Sequence, residues 1–125
     1  MSTFSSEVAA AVDAVREQVS TLHQQLVINE LVTWTGGNVS GRVPGADLFV
    51  IKPSGVMYPE LTAANMIVCD LDGNKIPGEP GSERNPSSDT AAHAYVYRNM
   101  PQVGGVVHTH STYATAWAAR GEAIP

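Results

Sequence analysis

Apolar residues in the first part of the chain recur at Val8, Val12, Val15, Val19, Leu22 and Leu26, at offsets of 0, 4, 7, 11, 14 and 18. That spacing is the stripe of a helix with one buried face, and it commits the chain to a second layer on which the stripe can rest. Ser5 or Ser6 can cap its start, and Asn29 with Glu30 marks its end. Asp13, Arg16, Glu17 and Gln24 are expected to stay wet, and His23, at the polar boundary, is expected to face solvent.

Every apolar run after that helix is short. Leu31-Val32-Thr33 reads as a brief extended piece before the turn at Gly36-Gly37. Asn38-Val39-Ser40-Gly41-Arg42-Val43 alternates weakly, Pro44-Gly45 turns the chain, and Leu48-Phe49-Val50-Ile51 is a compact strand stopped by Pro53, so the three form a hairpin. A short helical turn at Thr62-Ala63-Ala64-Asn65 precedes a strand at Met66-Ile67-Val68-Cys69-Asp70, with Asp72-Gly73 as a turn and Lys75-Ile76 as a possible return. Residues 77–86, with three prolines and two glycines, read as a solvent-exposed loop. Ser87-Ser88-Asp89-Thr90 opens a second helix with Ala92, Val96 and Met100 four apart, ended by Asn99 and Pro101. Residues 103–110 have the composition of a buried strand, and Ser111 can cap a third helix from Thr112 to about Ala119, stopped by Gly121. Hairpins argue for antiparallel pairing and helices must cover a sheet face, so the fold class is α/β and layered. The chain stops at Ile124-Pro125, directly after a helix end, which suggests a fragment.

Composition removes several function classes. Seven Lys and Arg against twelve Asp and Glu leave a net charge of −5, which gives no broad basic face for nucleic acid or anionic lipid. No apolar run approaches the roughly 20 residues that span a bilayer. Cys69 is the single cysteine, so there is neither an internal disulfide nor a thiolate cluster, and a cytoplasmic location is expected. In its Val-rich strand Cys69 reads as an inert buried thiol. Trp34, Trp117, Tyr95, Tyr97 and Tyr113 are dispersed at positions that suit packing or a subunit contact, without basic interleaving to stack bases, and core packing is the favoured role.

His108 and His110 lie two apart on an expected strand, so their rings leave one face and can converge on a cation; a surface pair or satisfied core histidines is the competing reading. Asp89, 19 residues before His108, can fold back as an oxygen ligand or base, or serve only its own helix as a cap. Ser87 and Ser88 share that helix start, where unpaired N–H groups attract an anion. Lys52-Pro53-Ser54-Gly55 and Gly36-Gly37-Asn38 are further candidate donors, although neither is a P-loop or a dinucleotide fingerprint. His93, one turn after Asp89, is expected to be a half-buried helix residue, with contact to the metal or the phosphate as the lesser alternative. A Ser-His-Asp triad lacks its nucleophile elbow.

On Gly37-Asn38-Val39-Ser40, Lys52-Pro53-Ser54-Gly55, Ser87-Ser88-Asp89-Thr90 and His108-Thr109-His110-Ser111, taken in order, the sequence resembles the class II aldolase family, and within it the L-ribulose-5-phosphate 4-epimerases. The resemblance implies a three-layer α/β/α fold with a mostly antiparallel central sheet, truncated here, with residues 1–125 as the N-terminal portion of a single domain. It implies a homotetramer with sites between subunits, acting on a sugar phosphate with a divalent metal ion, most often Zn2+. By carry-over His108, His110 and Asp89 would be metal residues, the last standing where related aldolases place Glu. Asn38, Ser54, Gly55, Ser87 and Ser88 would surround the substrate phosphate, and Lys52 and Asp89 would be catalytic. Another His, an Asp and a Tyr of the family lie in a second half that this sequence does not contain. The implied reaction interconverts L-ribulose 5-phosphate and D-xylulose 5-phosphate by metal-assisted retro-aldol cleavage and re-addition. Its rivals are a class II aldolase such as L-fuculose-phosphate aldolase, and a non-catalytic adducin-like interaction module.

Overall fold

The computed structural model describes residues 4–125. The elements run α1 (Ser6–Ile28), β1 (Asn38–Arg42), β2 (Leu48–Ile51), β3 (Ile67–Asp70), α2 (Thr90–Asn99), β4 (Gly105–His108) and α3 (Thr112–Arg120). The four strands form one sheet in the order β3-β2-β1-β4, with every neighbouring pair antiparallel.

Strand alternation divides the core into two halves, one on each face of the sheet. Val39, Leu48, Val50 and Val68 pack with Val12, Val15, Val19 and Leu26 of α1. Phe49, Ile51, Ile67 and Cys69 point the other way, onto Ala94 and Tyr97 of α2. Helices thus flank an antiparallel central sheet, in keeping with the layered α/β class expected from the sequence. A side chain of this size, once fully buried, contributes roughly 1.5–3 kcal/mol, so the two half-cores fix both helices against the sheet. Gly41 lets α1 lie close against the sheet: a Cβ there would stand 3.0 Å from Val15 Cγ1 and 3.1 Å from Val19 Cγ2.

Several expectations change. Arg16 is buried instead of wet, because its guanidinium donates to the carbonyls of Ala63, Met66 and Pro80. Residues 77–86 are consequently tied to α1, and Glu79 within them is buried, so the segment is only partly a solvent loop. In α2 the buried face is Thr90, His93, Ala94 and Tyr97, while Ala92 and Met100 are exposed. Lys75 makes an isolated bridge to Cys69 instead of a return strand, and Leu31-Val32-Thr33 forms no strand. Between β2 and β3 the chain also makes a 3₁₀ turn at Tyr58–Glu60. Residues 103–110 are not a buried strand: β4 covers only Gly105–His108, lies at the sheet edge, and leaves Val107 58% exposed. Of the aromatics, Tyr97 is core, whereas Trp34, Tyr95 and Tyr113 are exposed. Among the described residues no helix is long and apolar enough to cross a membrane.

Candidate active site

Strand β1 carries polar residues on the face that meets α2, and these set where that helix lies. Ser40 Oγ shares hydrogen bonds with His93 Nδ1 at 2.6 Å and Tyr97 OH at 2.7 Å, beneath the middle of α2. Arg42 reaches the far end, donating to the carbonyls of Tyr97, Met100 and Val103. Asn38 meets the near end, where its Nδ2 donates to Ser87 Oγ at 3.0 Å and Asp89 Oδ2 at 2.7 Å. The start of α2 is thereby brought beside the end of β4, since Asn38 pairs with His108 across the sheet.

Asp89 closes this corner. Its side chain does not cap its own helix; Oδ2 instead accepts from both Asn38 Nδ2 and His108 Nδ1, the latter at 2.7 Å. Burial works against its charge, but the hydrogen bonds from Asn38 and His108 outweigh it and hold the carboxyl below its ordinary range. With Nδ1–H given to Asp89, His108 keeps the lone pair of Nε2 for a ligand. β4 ends at His108, and beyond it the His110 N–H donates to Leu31 O at 2.7 Å. The two rings nevertheless stay together, with centroids 4.7 Å apart and planes at 52°.

Around this corner is a cavity of about 240 Å³. His108, His110 and Asp89 line one part, Lys52, Ser54 and Gly55 come from the exit of β2, and Ser87 and Ser88 come from the start of α2. Thr35, Gly36, Gly37 and Asn38 complete it. Every residue singled out in the sequence as a site candidate therefore borders the same space. Lys52 is 2% exposed, its Nζ donating, among the described residues, only to Pro53 O at 3.3 Å and lying 5.5 Å from the Tyr58 ring centre. Burial lowers its pKa. Ser87 N–H is used on Lys52 O and Ser54 N–H on Asn85 O, whereas the Ser88 and Gly55 N–H groups have no partner among the described residues. Asn38 Oδ1 is likewise buried without a partner.

The donor set suits a divalent cation in part. Two adjacent imidazoles beside a carboxylate are borderline-to-hard donors of the kind zinc accepts. Among the described residues, however, no group of three or more His, Cys, Asp or Glu stands ready to hold a metal ion. His108 and His110 can supply two donors, and the rest must come from beyond them.

The two remaining histidines lie elsewhere. His23 is not at the solvent: it is 1% exposed, donates from Nδ1 to Val19 O at 2.8 Å and accepts the Val39 N–H on Nε2 at 3.0 Å. Burial pushes its pKa down to about 4. His93 is fully buried instead of half-buried, and burial lowers its pKa too. Cys69 is buried as expected, and burial pushes its thiol up to about 12. Tyr58 was missed by the sequence reading; its hydroxyl donates to Gly36 O at 2.8 Å and Gly37 O at 3.0 Å. A tyrosine following Lys52-Pro53-Ser54-Gly55 by three residues was the available signal.

A sheet with helices on both faces and a polar cavity where an imidazole pair meets a helix start define an α/β protein with an enzyme-like site. Residues 17–125 match the family described as Class II Aldolase and Adducin N-terminal domain, and the chain belongs to that family. Among solved structures it is similar to an L-fuculose 1-phosphate aldolase, at 32% identity and a TM-score of 0.77 over 87% of this chain and 50% of that one. It is also similar to the L-fuculose-1-phosphate aldolase from Thermus thermophilus, at 29% identity and a TM-score of 0.65 over 85% of this chain and 52% of that one. A candidate aldolase/epimerase/decarboxylase, YgbL from Klebsiella pneumoniae, shares 29% identity with a TM-score of 0.73 over 86% of this chain and 49% of that one. The chain spans about half the length of these relatives.

Proposed function

We propose that the protein carries out metal-assisted aldol chemistry on a sugar phosphate, with the cavity at the end of β4 as its active site. The observation that carries this reading is the convergence on one cavity of an imidazole pair, the Ser87 and Ser88 hydroxyls with the unpaired Ser88 N–H, and a buried lysine.

In this reading His108 and His110 hold a divalent ion, most simply Zn2+, with Asp89 at the same place either as a ligand or as the group that fixes the His108 ring. Such an ion supplies Lewis acidity toward the carbonyl and hydroxyl oxygens flanking the bond that breaks. The phosphate is gripped by the hydroxyls of Ser54, Ser87 and Ser88 and the N–H groups of Gly55 and Ser88, with Asn38 alongside. Lys52, whose Nζ has no carboxylate partner among the described residues, would balance charge on the substrate and hold or move a proton at Nζ. Gripping the phosphate keeps the cleaved fragment beside its partner, a proximity effect worth kilocalories per mole.

The favoured substrate is a ketose 1-phosphate of the L-fuculose type, cleaved to dihydroxyacetone phosphate and an aldehyde. The 32% identity to an L-fuculose 1-phosphate aldolase supports this over the epimerase that the motifs suggested. L-Ribulose-5-phosphate 4-epimerase remains the second reading, favoured by Asp89 at the metal corner and Lys52 in the same cavity. An adducin-like interaction module has no use for the imidazole pair and Asp89. A cytoplasmic homotetramer with sites between subunits belongs to the same proposal.

Two substrates separate the readings. Zinc-loaded protein given L-fuculose 1-phosphate is expected to release dihydroxyacetone phosphate; D-xylulose 5-phosphate formed from L-ribulose 5-phosphate without aldehyde release would select the epimerase instead. Turnover of neither would end both.

A further inference from the structure

We infer that Tyr58 is a positioning residue for the histidine pair, acting through the Gly36-Gly37 turn. The inference rests on the reading of His108 and His110 as metal ligands given above.

The turn lies directly against both histidines. A Cβ on Gly36 would stand 3.0 Å from both Cε1 and Nδ1 of His110, and one on Gly37 would stand 2.9 Å from His108 O and 2.5 Å from Val32 Cγ1. The space between the turn and the His110 ring is too small for a methyl group, so a shift of the turn toward the ring is felt at His110. The turn's own residues do little to hold it. Trp34 has φ 55°, a region costly for a bulky side chain, and is 81% exposed, so packing does not anchor it. Gly37 is also left-handed, at φ 76°. Within the turn the Gly36 N–H donates to Thr33 O at 3.1 Å. From outside, the Tyr58 hydroxyl reaches both carbonyls of the pair, sharing one hydrogen between Gly36 O and Gly37 O.

Tyr58 divides its work between two parts of the side chain. The ring faces Lys52 Nζ, and the hydroxyl holds the turn. Burial pushes the phenol up to about 12, so it stays protonated and donating throughout the working range. Tyr58→Phe removes the hydroxyl and keeps the ring beside Lys52, which isolates the positioning role.

The test uses metal-free whole protein and Co2+ as the probe, with affinity read by calorimetry and the His110 Cε1–H resonance by NMR. Tyr58→Phe is expected to weaken Co2+ binding roughly tenfold, the scale on which outer contacts of a metal site act. It should displace the His110 resonance while leaving that of His93, buried under α2, and the affinity for inorganic phosphate unchanged. Gly36→Ala, which keeps the hydroxyl and pushes a methyl at the His110 ring, should weaken Co2+ binding in the same direction; it stands as the readout if Tyr58→Phe does not fold. Unchanged Co2+ affinity in the folded variants, with the parent protein binding Co2+, overturns the inference and leaves the metal reading intact. Equal displacement of His93 and loss of phosphate affinity would mark general loosening and also overturn it. Absence of Co2+ binding by the parent protein overturns both.

Discussion

The four histidines fall into two pairs that share a residue type and little else. His23 and His93 are sealed under the helices at 1% and 2% exposure, and each uses its ring to join a helix to β1. His108 and His110 stand where β4 stops, beside a cavity, with one ring nitrogen of His108 held by Asp89. An imidazole opposite a strand within the layers finds backbone and hydroxyl partners and becomes a link. At the point where the hydrogen-bond ladder ends, Asp89 takes one ring nitrogen of His108, and the two rings otherwise border the cavity, open to a ligand. Position relative to the end of the sheet, more than burial tendency, separates the structural histidines from the candidate ligands.

The largest expected effect lies on the cavity side. His108→Ala should lower zinc affinity by about a hundredfold or more, as loss of a ligand should exceed loss of a supporting contact. Unchanged zinc stoichiometry by elemental analysis would erase the distinction between the pairs.

Breaking the sealed side should instead cost stability. His23→Ala strands the Val39 N–H and leaves a cavity, for about 2–4 kcal/mol, while zinc affinity of the folded protein is retained. The same residue sets a pH dependence. Its pKa falls from 6.5 to about 4 on folding, so between those values the unfolded chain binds more protons. Its contribution is therefore complete above pH 6.5, declines as pH falls toward 4, and totals about 3 kcal/mol. Urea midpoints measured across that window should fall with acid, and His23→Gln should flatten the slope.

Ser88→Ala is the gentlest and sharpens the cavity side itself. It should raise KM several-fold, roughly 1 kcal/mol, while metal content holds steady. An unaltered KM would remove Ser88 from the phosphate grip.

The layered fold was legible because the α1 stripe and the β1–β2 hairpin are local patterns whose periods match their elements. The gathering of Asn38, Lys52, Ser87, Asp89 and His108 was legible through a resemblance, since no single motif among them dictates a shared cavity. The misreadings have one physical origin. Arg16 and His23 look like surface residues, and His93 like a half-buried one, until a carbonyl, an N–H or a hydroxyl from a distant segment satisfies them. The Ala92, Val96 and Met100 stripe failed for the same reason, because Ser40 gives α2 a polar patch to bury. Tyr58 acts on backbone carbonyls 21 and 22 residues away, a contact that leaves no periodicity in the sequence.

The most direct test is diffraction from zinc-loaded crystals of the protein at the zinc absorption edge. An anomalous peak within bonding distance of both His108 and His110, beside the start of α2, is expected. Zinc bound away from these two rings, with the cavity otherwise intact, would contradict the account.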